Sequence, residues 1–577
     1  MIKYVCKNCN IDCETSECPI CHGRANAESK IYWCKNCNVP IYDEKCDLCG
    51  ENADPLTTDL RPVFPEERLL LEILIGEPLK YINSSVWNST GNRYIVDGVR
   101  LNLTLNKLMK KDAKRVIEEL NKYKDLNNYD CFNTTIEKFI KANRKRFNLI
   151  TSEATEFIKG VSAGYELDEL FISFSGGKDS TVTQDLVVKA LSEPKIIHVF
   201  GDTTLEFPLT HEYLKRFKAN NRYTPMITAK NKDKNFYDLC DTLGPPSRVM
   251  RWCCTIFKTG AINRKISATF KDKKKIITFH GIRRSESTSR SKYERESDSP
   301  KITKQKVMSP IIDWYDFDIW LYILTSNIDF NDSYRLGYAR VGCWCCPNNS
   351  NWAQYLSSVY MPEQYEQWRN FLIGFAKKIG KPDPEVYIDE GNWKARQGGN
   401  GVEFSKNAFL SFEPCATEDN SFNYELKRSI SEELYELFKP FGKISKELGN
   451  ERLGEVFVLD NQNNPIIRLQ GRKGSNILKV SILKLPLLKT KNIKDAKLKI
   501  ECQITKYQMC IGCLACESVC KHNAMTIKEF NDGTISYAID DIKCVRCGEC
   551  INHFDGGCYM RKVLATKRGA LKLKNIV

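Results

Sequence analysis

The chain has 577 residues, of which 42% are hydrophobic and 28% are charged, and its formal net charge is +15. This composition excludes a mainly disordered chain, and at roughly 150 residues per domain it predicts about four domains. The longest apolar stretch, Leu69–Ile75, is interrupted by Glu72 and is far shorter than the roughly 20 residues of a membrane span. The N-terminal residues also lack the apolar run of a signal peptide, so we expect a cytoplasmic protein with no membrane partner.

Cysteine is the outlier, with 26 residues gathered at both ends and at two central points. In a reducing compartment such clusters indicate metal or redox sites rather than disulfides. Residues 1–50 contain one unit twice, because the string Cys-Lys-Asn-Cys-Asn occurs at 6–10 and at 34–38 and a second CxxC follows each copy. We predict tandem zinc ribbons with two structural Zn²⁺ ions, and His22 is an alternative ligand to its neighbour. The predicted ligands are Cys6, Cys9, Cys18, Cys21, Cys34, Cys37, Cys46 and Cys49.

Residues 51–150 read as an α+β module. The pattern predicts a helix over 66–75, a strand over 94–103 and a basic helix over 105–123. On that last helix, Lys107, Lys110, Lys111 and Lys114 have the spacing of one face. Such a face is either a solvated surface or a docking site for tRNA or DNA, and both interpretations stay open.

From 151 to 395 the pattern alternates between strands and helices. Strands are predicted over 170–174, 195–200 and 275–282, and a helix over 317–324. This alternation predicts an α/β fold with a doubly wound parallel sheet. A glycine-rich linker is predicted over 396–402. An α+β module of unknown role then covers 403–500, and a cysteine-rich domain covers 501–577.

The segment Ser175–Ser180, with the sequence SGGKDS, follows an apolar strand and opens a helix. Its glycines allow a sharp turn, and the helix N-terminus, two hydroxyls and Lys178 favour an anion. The spacing is not that of a Walker A loop. It resembles the PP-loop of the adenine-nucleotide α-hydrolases, which cleave ATP between the α and β phosphates or bind adenylyl sulfates.

Four downstream segments extend the likeness, namely Gly201–Pro208, Gly281–Ser287, Pro310–Trp314 and Gly342–Pro347. Together with the PP-loop they resemble the phosphoadenosine phosphosulfate (PAPS) reductase family over about 165–350. The arginines of this set have surface solubility as an alternative role. The resemblance implies nucleotide binding by Ser173, Ser175, Gly176, Gly177, Lys178, Asp179, Ser180, Asp202, Thr203, Glu206, Arg283, Arg284 and Arg290.

The tandem Cys253-Cys254 and the later Cys343-x2-Cys346 resemble the [4Fe-4S] ligands of adenylyl-sulfate (APS) reductases. A structural zinc or ordinary core thiols are the alternatives, and Cys345 is a substitute ligand or a nearby reactive thiol. The Glu-Cys-Gly-x-His motif that carries the nucleophile of these reductases is missing from the sequence, and the nearest candidate is Cys415. The resemblance implies catalytic roles for Lys178, Asp179, Arg283 and Cys345.

The last domain contains the cysteine run of a bacterial two-cluster ferredoxin, followed by a second, irregular run. If the fourth cysteine of each run ligates the other cluster, two [4Fe-4S] sets result. They are Cys510, Cys513, Cys516 and Cys558, and Cys544, Cys547, Cys550 and Cys520.

These features predict an enzyme of sulfur metabolism that reduces APS or PAPS to sulfite with electrons from the fused ferredoxin clusters, which an external donor reloads. The alternative is an ATP pyrophosphatase that adenylates tRNA or DNA for sulfur insertion. A third interpretation is an electron-transfer subunit with a vestigial nucleotide pocket. The expected cofactors are three [4Fe-4S] clusters, two Zn²⁺ ions and an adenine nucleotide, with Mg²⁺ as its companion ion.

Overall fold

The fold is described from a computed structural model of the chain. The residues that the structure describes are 4–6, 9, 11–13, 17–23, 26–27, 31–56, 59–287, 290–299, 305–395, 411–486, 488, 490–530, 535–554 and 557–564. The predicted linker 396–402 lies outside them. No helix in these ranges is both long enough and apolar enough to cross a membrane.

Two small three-stranded antiparallel sheets form the N-terminal region, with the orders β2-β1-β3 and β5-β4-β6. In each sheet, the first strand ends at the first cysteine of a CxxC pair, Cys6 or Cys34. The strands are β1 (Tyr4–Cys6), β2 (Ile11–Cys13), β3 (Asn26–Ala27), β4 (Tyr32–Cys34), β5 (Val39–Ile41) and β6 (Asp54–Pro55).

The next region is a four-stranded antiparallel sheet flanked by helices, and its strand order is β10-β9-β8-β7. Its strands are β7 (Leu60–Pro62), β8 (Val86–Ser89), β9 (Arg93–Val96) and β10 (Val99–Arg100). Its helices are α1 (Pro65–Ile75), α2 (Leu105–Leu108), α3 (Ala113–Tyr123), α4 (Asp130–Ala142) and α5 (Arg144–Ser162).

The predicted basic helix over 105–123 is not continuous. It is divided into α2 and α3, because the Asp112 carboxylate accepts the backbone N–H of Arg115 and caps the start of α3. Lys110 and Lys111 therefore lie in the connection, and Lys111 donates to the carbonyl of Ile73. The four lysines do not share one helical face, and this part of the nucleic-acid interpretation loses its support.

The central sheet has the order β13-β12-β11-β14-β16-β15, parallel except for the edge strand β15. This confirms the predicted α/β fold with a parallel sheet. Its strands are β11 (Leu170–Ser173), β12 (Ile197–Asp202), β13 (Met226–Lys230), β14 (Ile276–His280), β15 (Glu296–Asp298) and β16 (Gln305–Met308). The helices of this region are α6 (Lys178–Leu191), α7 (Pro208–Asn220), α8 (Phe236–Leu243), α9 (Gly260–Thr269), α10 (Asp316–Thr325), α11 (Asn351–Tyr360), α12 (Pro362–Lys378) and α13 (Pro384–Asp389).

The strand order reverses between β11 and β14, so a crevice opens at their carboxyl ends. Segment 174–177, which holds the first half of the predicted phosphate loop, follows β11, and segment 281–283 follows β14. The sheet therefore brings the two sequence motifs to one edge.

A six-stranded antiparallel sheet of order β17-β18-β22-β21-β20-β19 forms the next layer. Its strands are β17 (Ser411–Pro414), β18 (Ser421–Glu425), β19 (Lys443–Ser445), β20 (Glu455–Leu459), β21 (Pro465–Gln470) and β22 (Ile477–Ile482). The remaining elements are α14 (Glu432–Glu436), α15 (Ile493–Met509), α16 (Ala515–Val519), the hairpin β23 (Met525–Glu529) and β24 (Ile535–Ile539), α17 (Glu549–Asn552) and α18 (Tyr559–Leu564).

Helix α15 runs across the boundary predicted at 500–501. Its buried residues Ile500 and Ile504 belong to one apolar core that also contains Val480 of β22 and Ile527 of the hairpin. The six-stranded sheet and the cysteine-rich domain thus share a core.

Candidate nucleotide and iron–sulfur site

The PP-loop joins β11 to α6 in a turn that its own side chains stabilise. The Ser180 hydroxyl donates to the carbonyl of Gly177 (2.8 Å) and accepts the backbone N–H of Ser175 (3.1 Å). Gly176 has φ +71°, a conformation that favours glycine. The turn places the positive end of the α6 dipole at the crevice, where it favours an anion.

Four charged side chains interlock beside this turn. The Lys178 Nζ lies 3.3 Å from carboxylate oxygens of both Asp179 and Asp316. The Arg283 guanidinium binds the same two carboxylates and lies 2.7 Å from Asp316. Burial alone would raise the pKa of Asp179, but Arg283 and Lys178 outweigh it and hold that pKa well below its usual range. The network is therefore charged at neutral pH, and it fixes the side chains predicted to be catalytic.

The other two predicted arginines have different positions. Arg284 pairs with Asp313 and donates to the carbonyl of Tyr293, so ion pairing in the loop occupies it. Arg290 pairs with Glu286 four residues earlier.

Sequence reasoning missed Arg340, which is exposed and has no ion-pair partner among the described residues. It lines the same cavity as Lys178 and Arg283. Its positive charge also adds to burial in lowering the pKa of Arg290. No motif marks Arg340 in the sequence. The contact of Lys178 with the carbonyl of Ala339 (3.4 Å) brings this segment to the site.

The loop after β12 connects the nucleotide crevice to the central cysteines. The Glu206 carboxylate accepts the hydroxyl (2.6 Å) and the backbone N–H of Thr203. The same hydroxyl lies 3.5 Å from the Sγ of Cys343. Asp202 pairs with Lys230, 3.4 Å away. Donor atoms of Asp202, Glu206 and His211 lie within 4.8 Å of one another.

The four predicted central ligands come from two segments that meet at this loop. Cys253 and Cys254 lie at the start of a π-helical turn, Cys254–Thr259, that continues into α9. A hydrogen bond with Cys253 lowers the pKa of Cys254 to about 6, with the opposing effect of burial partly offset by Arg251 and Lys258.

The second pair lies within electrostatic reach of the first. Burial raises the pKa of Cys343 to about 12, and Cys346 adds to that rise. Burial also raises the pKa of Cys346, to which Cys254 contributes. The tandem cysteines and the CxxC pair are thus neighbours in the fold.

The two other thiols considered for catalysis differ in their surroundings, because Cys345 is buried and Cys415 is partly exposed. Cys345 is 4% exposed, and burial beside Cys343 and Cys240 raises its pKa well above the usual range. A thiolate is disfavoured there, so this geometry lends no support to the catalytic role of Cys345, which stays a prediction. Cys415 follows β17, and its thiol has Thr417 of the same module as its hydrogen-bond partner.

The ferredoxin-type cysteines of the two runs lie close to one another, and their division into two ligand sets stays a prediction. Burial raises the pKa of Cys558 to about 12, with Cys516 and Cys510 contributing. Burial likewise raises the pKa of Cys550 to about 12, with Cys516, Cys520 and Cys544 contributing. The fourth cysteine of each run therefore lies near the opposite run.

The first of these sets lies next to the central cysteines. Tyr559 is a neighbour of Cys513 on one side and of Cys253 and Cys254 on the other, and it interacts with Thr255. Arg264 of α9 makes two 2.8 Å bonds to Glu517 of α16 and holds the two domains together. An ideal Cβ on Gly260 would lie 3.0 Å from the Cβ of Leu514, so the backbones approach closely.

Each N-terminal sheet gathers four cysteines whose donor atoms lie within 4.8 Å of one another. The Sγ atoms of Cys6 and Cys21 are 3.5 Å apart, as are those of Cys34 and Cys49. His22 instead contacts Glu17 (3.2 Å), so the first cluster contains Cys21. Both clusters could bind zinc, because four close thiols are the donor set of a structural site.

A glycine-rich turn that precedes a helix at the switch point of a parallel sheet is the arrangement of α/β domains of the PP-loop class. Residues 169–349 match the family described as the phosphoadenosine phosphosulfate reductase domain, and residues 509–553 match the 4Fe-4S dicluster domain. The chain thus combines a PAPS reductase domain with a ferredoxin-type dicluster domain.

An uncharacterized protein of Methanocaldococcus jannaschii is 31% identical over 48% of this chain and 56% of its own length. The chain therefore spans little more than half of that relative. Adenosine 5'-phosphosulfate reductase 1 of Bacillus subtilis is 28% identical over 34% of this chain and 80% of its own length. The crystal structure of PAPS reductase from Candida auris aligns with a TM-score of 0.27 and 14% identity, over 35% of this chain and 97% of that one.

Proposed function

We propose that the protein is a PAPS reductase-like iron–sulfur enzyme that binds an adenylyl sulfate at the PP-loop and reduces it to sulfite with electrons from the fused ferredoxin clusters. The observation that carries this proposal is that the nucleotide crevice, the central cysteines and the ferredoxin-type cysteines adjoin one another. The loop of Glu206 adjoins both the crevice and Cys343, and Tyr559 adjoins both the central and the ferredoxin-type cysteines.

In this proposal the chain's own residues bind and orient the nucleotide. The N-terminus of α6 and the serines of the PP-loop hold its phosphate. Arg340, which has no ion-pair partner in the described ranges, adds a positive charge. Lys178 and Arg283 are fixed by Asp179 and Asp316, so they form a rigid wall in which the charges balance. Arg251 and Lys258 place further positive charge beside Cys254.

The reaction requires two electrons and one proton. The sulfur–oxygen bond to the phosphate breaks, the sulfur is reduced to hydrogen sulfite, and AMP leaves when the substrate is APS. The four central thiols and their cationic neighbours suit a [4Fe-4S] cluster, which supplies one-electron redox chemistry when bound. An external low-potential one-electron donor reloads the dicluster domain, and Mg²⁺ at Asp202 and Glu206 would accompany the nucleotide.

The runner-up is an ATP pyrophosphatase that adenylates tRNA or DNA for sulfur insertion. One observation favours it, namely that a module outside the PP-loop domain, over 51–150, borders the cavity beside the PP-loop. Lys178, which faces that cavity, would then neutralise pyrophosphate. The chemistry of this alternative needs no nucleophilic cysteine of the Glu-Cys-Gly-x-His type.

Anaerobic purification with metal analysis, followed by parallel assays with APS, PAPS and ATP plus RNA or DNA, separates the two proposals. Sulfite release without ATP supports the reductase and excludes the pyrophosphatase. ATP-dependent pyrophosphate release, with no sulfite from either sulfonucleotide, overturns the reductase.

A further inference from the structure

A cavity of about 240 Å³ lies between the PP-loop domain and the hairpin β8–β9 of the N-terminal module. Asn88 and Asn92 line it from the hairpin, and Lys178, Arg283 and Arg340 line it from the PP-loop domain. Sites for drug-sized ligands are about 300–1,000 Å³, so this cavity suits part of a nucleotide rather than a large molecule.

Asn88 is the residue that indicates a ligand. Its side chain is 2% exposed, and its Oδ1 atom is buried without a hydrogen-bond partner among the described residues. A buried acceptor in that state costs about 1–3 kcal/mol, so it is expected to receive a donor when the cavity is filled.

The orientation of the Asn88 amide follows from its neighbours. Its Nδ2 lies 3.2 Å from the carboxylate of Glu67, which also binds Arg61 (2.6 and 2.7 Å) and the hydroxyl of Tyr94 (2.8 Å). Glu67 accepts hydrogen bonds, so the NH₂ group must face it. The oxygen of Asn88 is left for a donor outside this network.

The opposite side of the cavity carries charges of both signs, and one of its cations has no acidic partner among the described residues. Lys178 and Arg283 are shared with Asp179 and Asp316, whereas Arg340 has no ion-pair partner among the described residues. The cavity thus has an anion-binding side and, at Asn88, a buried hydrogen-bond acceptor. In a nucleotide, the donors closest to the phosphate are the ribose hydroxyls.

We propose that this cavity is a ribose subsite, in which a ribose hydroxyl donates to the Oδ1 of Asn88 while the phosphate lies against the PP-loop and Arg340. The inference rests on the proposed function in one respect, namely that a nucleotide occupies the PP-loop. It adds that the N-terminal module, and not the PP-loop domain alone, recognises the nucleotide.

The second zinc ribbon packs against the end of the hairpin that lies away from the cavity. The indole of Trp33 packs where a Cβ on Gly98 would stand, 2.5 Å from its Nε1. Asn38 donates to Asp97 (2.6 Å), and the same oxygen of Asp97 accepts the backbone N–H of Ser85 (2.9 Å). The ribbon, the hairpin and the cavity therefore form one continuous packing unit.

Calorimetric titration of the metallated full-length chain with AMP, 2′,3′-dideoxy-AMP and pyrophosphate tests the proposal. Wild-type protein is expected to bind AMP about tenfold more tightly than the dideoxy analogue. Asn88→Leu should reduce that ratio to about one and leave the affinity for pyrophosphate unchanged. Arg340→Gln should weaken the binding of all three ligands and leave the ratio of the AMP and dideoxy-AMP affinities unchanged. Arg93→Gln, at an exposed position of the hairpin, is the control and should change none of these affinities.

The ribose subsite is overturned if Asn88→Leu still binds AMP about tenfold more tightly than dideoxy-AMP. It is also overturned if wild-type protein binds the two nucleotides equally well, and in both cases the nucleotide site itself stands. If Asn88→Leu fails to fold, the wild-type ratio decides. Failure of wild-type protein to bind AMP and pyrophosphate overturns the proposed function together with this inference.

Discussion

Glu206 and Cys343 form an isolated antiparallel bridge that joins the loop after β12 to the loop of the CxxC pair. Backbone bonds extend the bridge on both sides, from Trp344 to Leu205 (2.9 Å) and from Phe207 to Gly342 (3.3 Å). The side chain of Glu206 then fixes the hydroxyl of Thr203 against the thiol of Cys343. The nucleotide loop and a predicted cluster ligand are therefore one structural unit.

Replacement of Glu206 by Ala should loosen this unit. The substitution removes the acceptor of two Thr203 bonds, and loss of such a partner costs about 1–3 kcal/mol. We expect a lower free energy of unfolding by urea and less iron per anaerobically purified chain. Glu212→Ala, at an exposed position on α7, is the matched control. Equal iron content in the two variants would show that the bridge does not support the centre.

A methyl group on Gly281 should disturb the PP-loop. An ideal Cβ there would lie 2.6 Å from the backbone carbon and oxygen of Asp179, and that backbone cannot move without shifting the start of α6. Overpacking of this kind costs typically about 1–3 kcal/mol. Gly281→Ala should therefore lower both the melting temperature and the affinity for AMP.

Gly374→Ala is the control for that substitution. Gly374 lies within α12, and an added Cβ would meet nothing within 4 Å. Alanine favours helix over glycine, so this variant should keep its AMP affinity and gain up to about 1 kcal/mol of stability. Unchanged AMP binding in both variants would contradict the close approach of the strand end to the PP-loop.

Local sequence pattern predicted the PP-loop and three strands of the central sheet, but not β13, β15 or β16. The apolar runs that became β11, β12 and β14 are each followed by polar or glycine-rich residues, and parallel strands bring those segments to one edge. Cysteine spacing also sufficed for the two N-terminal clusters, because a tetrahedral site constrains its ligands locally.

Other features depend on tertiary contacts that spacing does not encode. The basic segment over 105–123 is divided by the helix cap at Asp112. The regular spacing of the lysines indicated one continuous helix, and the capping residue was overlooked. Cys345 is buried because it packs against residues of α12. Arg340 lies at the cavity only in the folded chain, so its position there could not be read from the sequence. Asn88 belongs to a different module from the PP-loop, so a linear motif could not have joined them.

His198 should make the fold sensitive to acid. Its ring is fully buried between Phe174 and Phe217 and contacts the carbonyl of Ile196 (2.9 Å). Burial lowers the pKa of His198 to about 4, below the usual 6.5, so the folded state keeps the ring neutral. The unfolded state takes up a proton first as the pH falls through 6.5, and the free energy of unfolding falls with it.

Between pH 7.5 and 5.5 this effect amounts to roughly 1.4 kcal/mol. His198→Leu should lose that part of the pH dependence, measured as the difference from wild-type protein in urea unfolding at the two pH values. His211→Ala, at an exposed position, should retain it. A pH dependence that is identical in wild-type and His198→Leu protein would contradict a neutral buried ring.

The second N-terminal cluster should matter more for the nucleotide site than the first. Cys34 belongs to the cluster whose Trp33 packs against the hairpin of the cavity, so Cys34→Ser should lose one zinc per chain and also weaken AMP binding. Cys6→Ser should lose one zinc per chain and keep its AMP affinity, since its cluster forms a separate small core with Cys13 and Cys18. Cys131→Ser, outside both clusters, should retain both metals. Native mass spectrometry counts the zinc ions per chain, and calorimetry measures the affinity for AMP. Equal AMP affinities in Cys34→Ser and Cys6→Ser would show that the second ribbon does not support the hairpin.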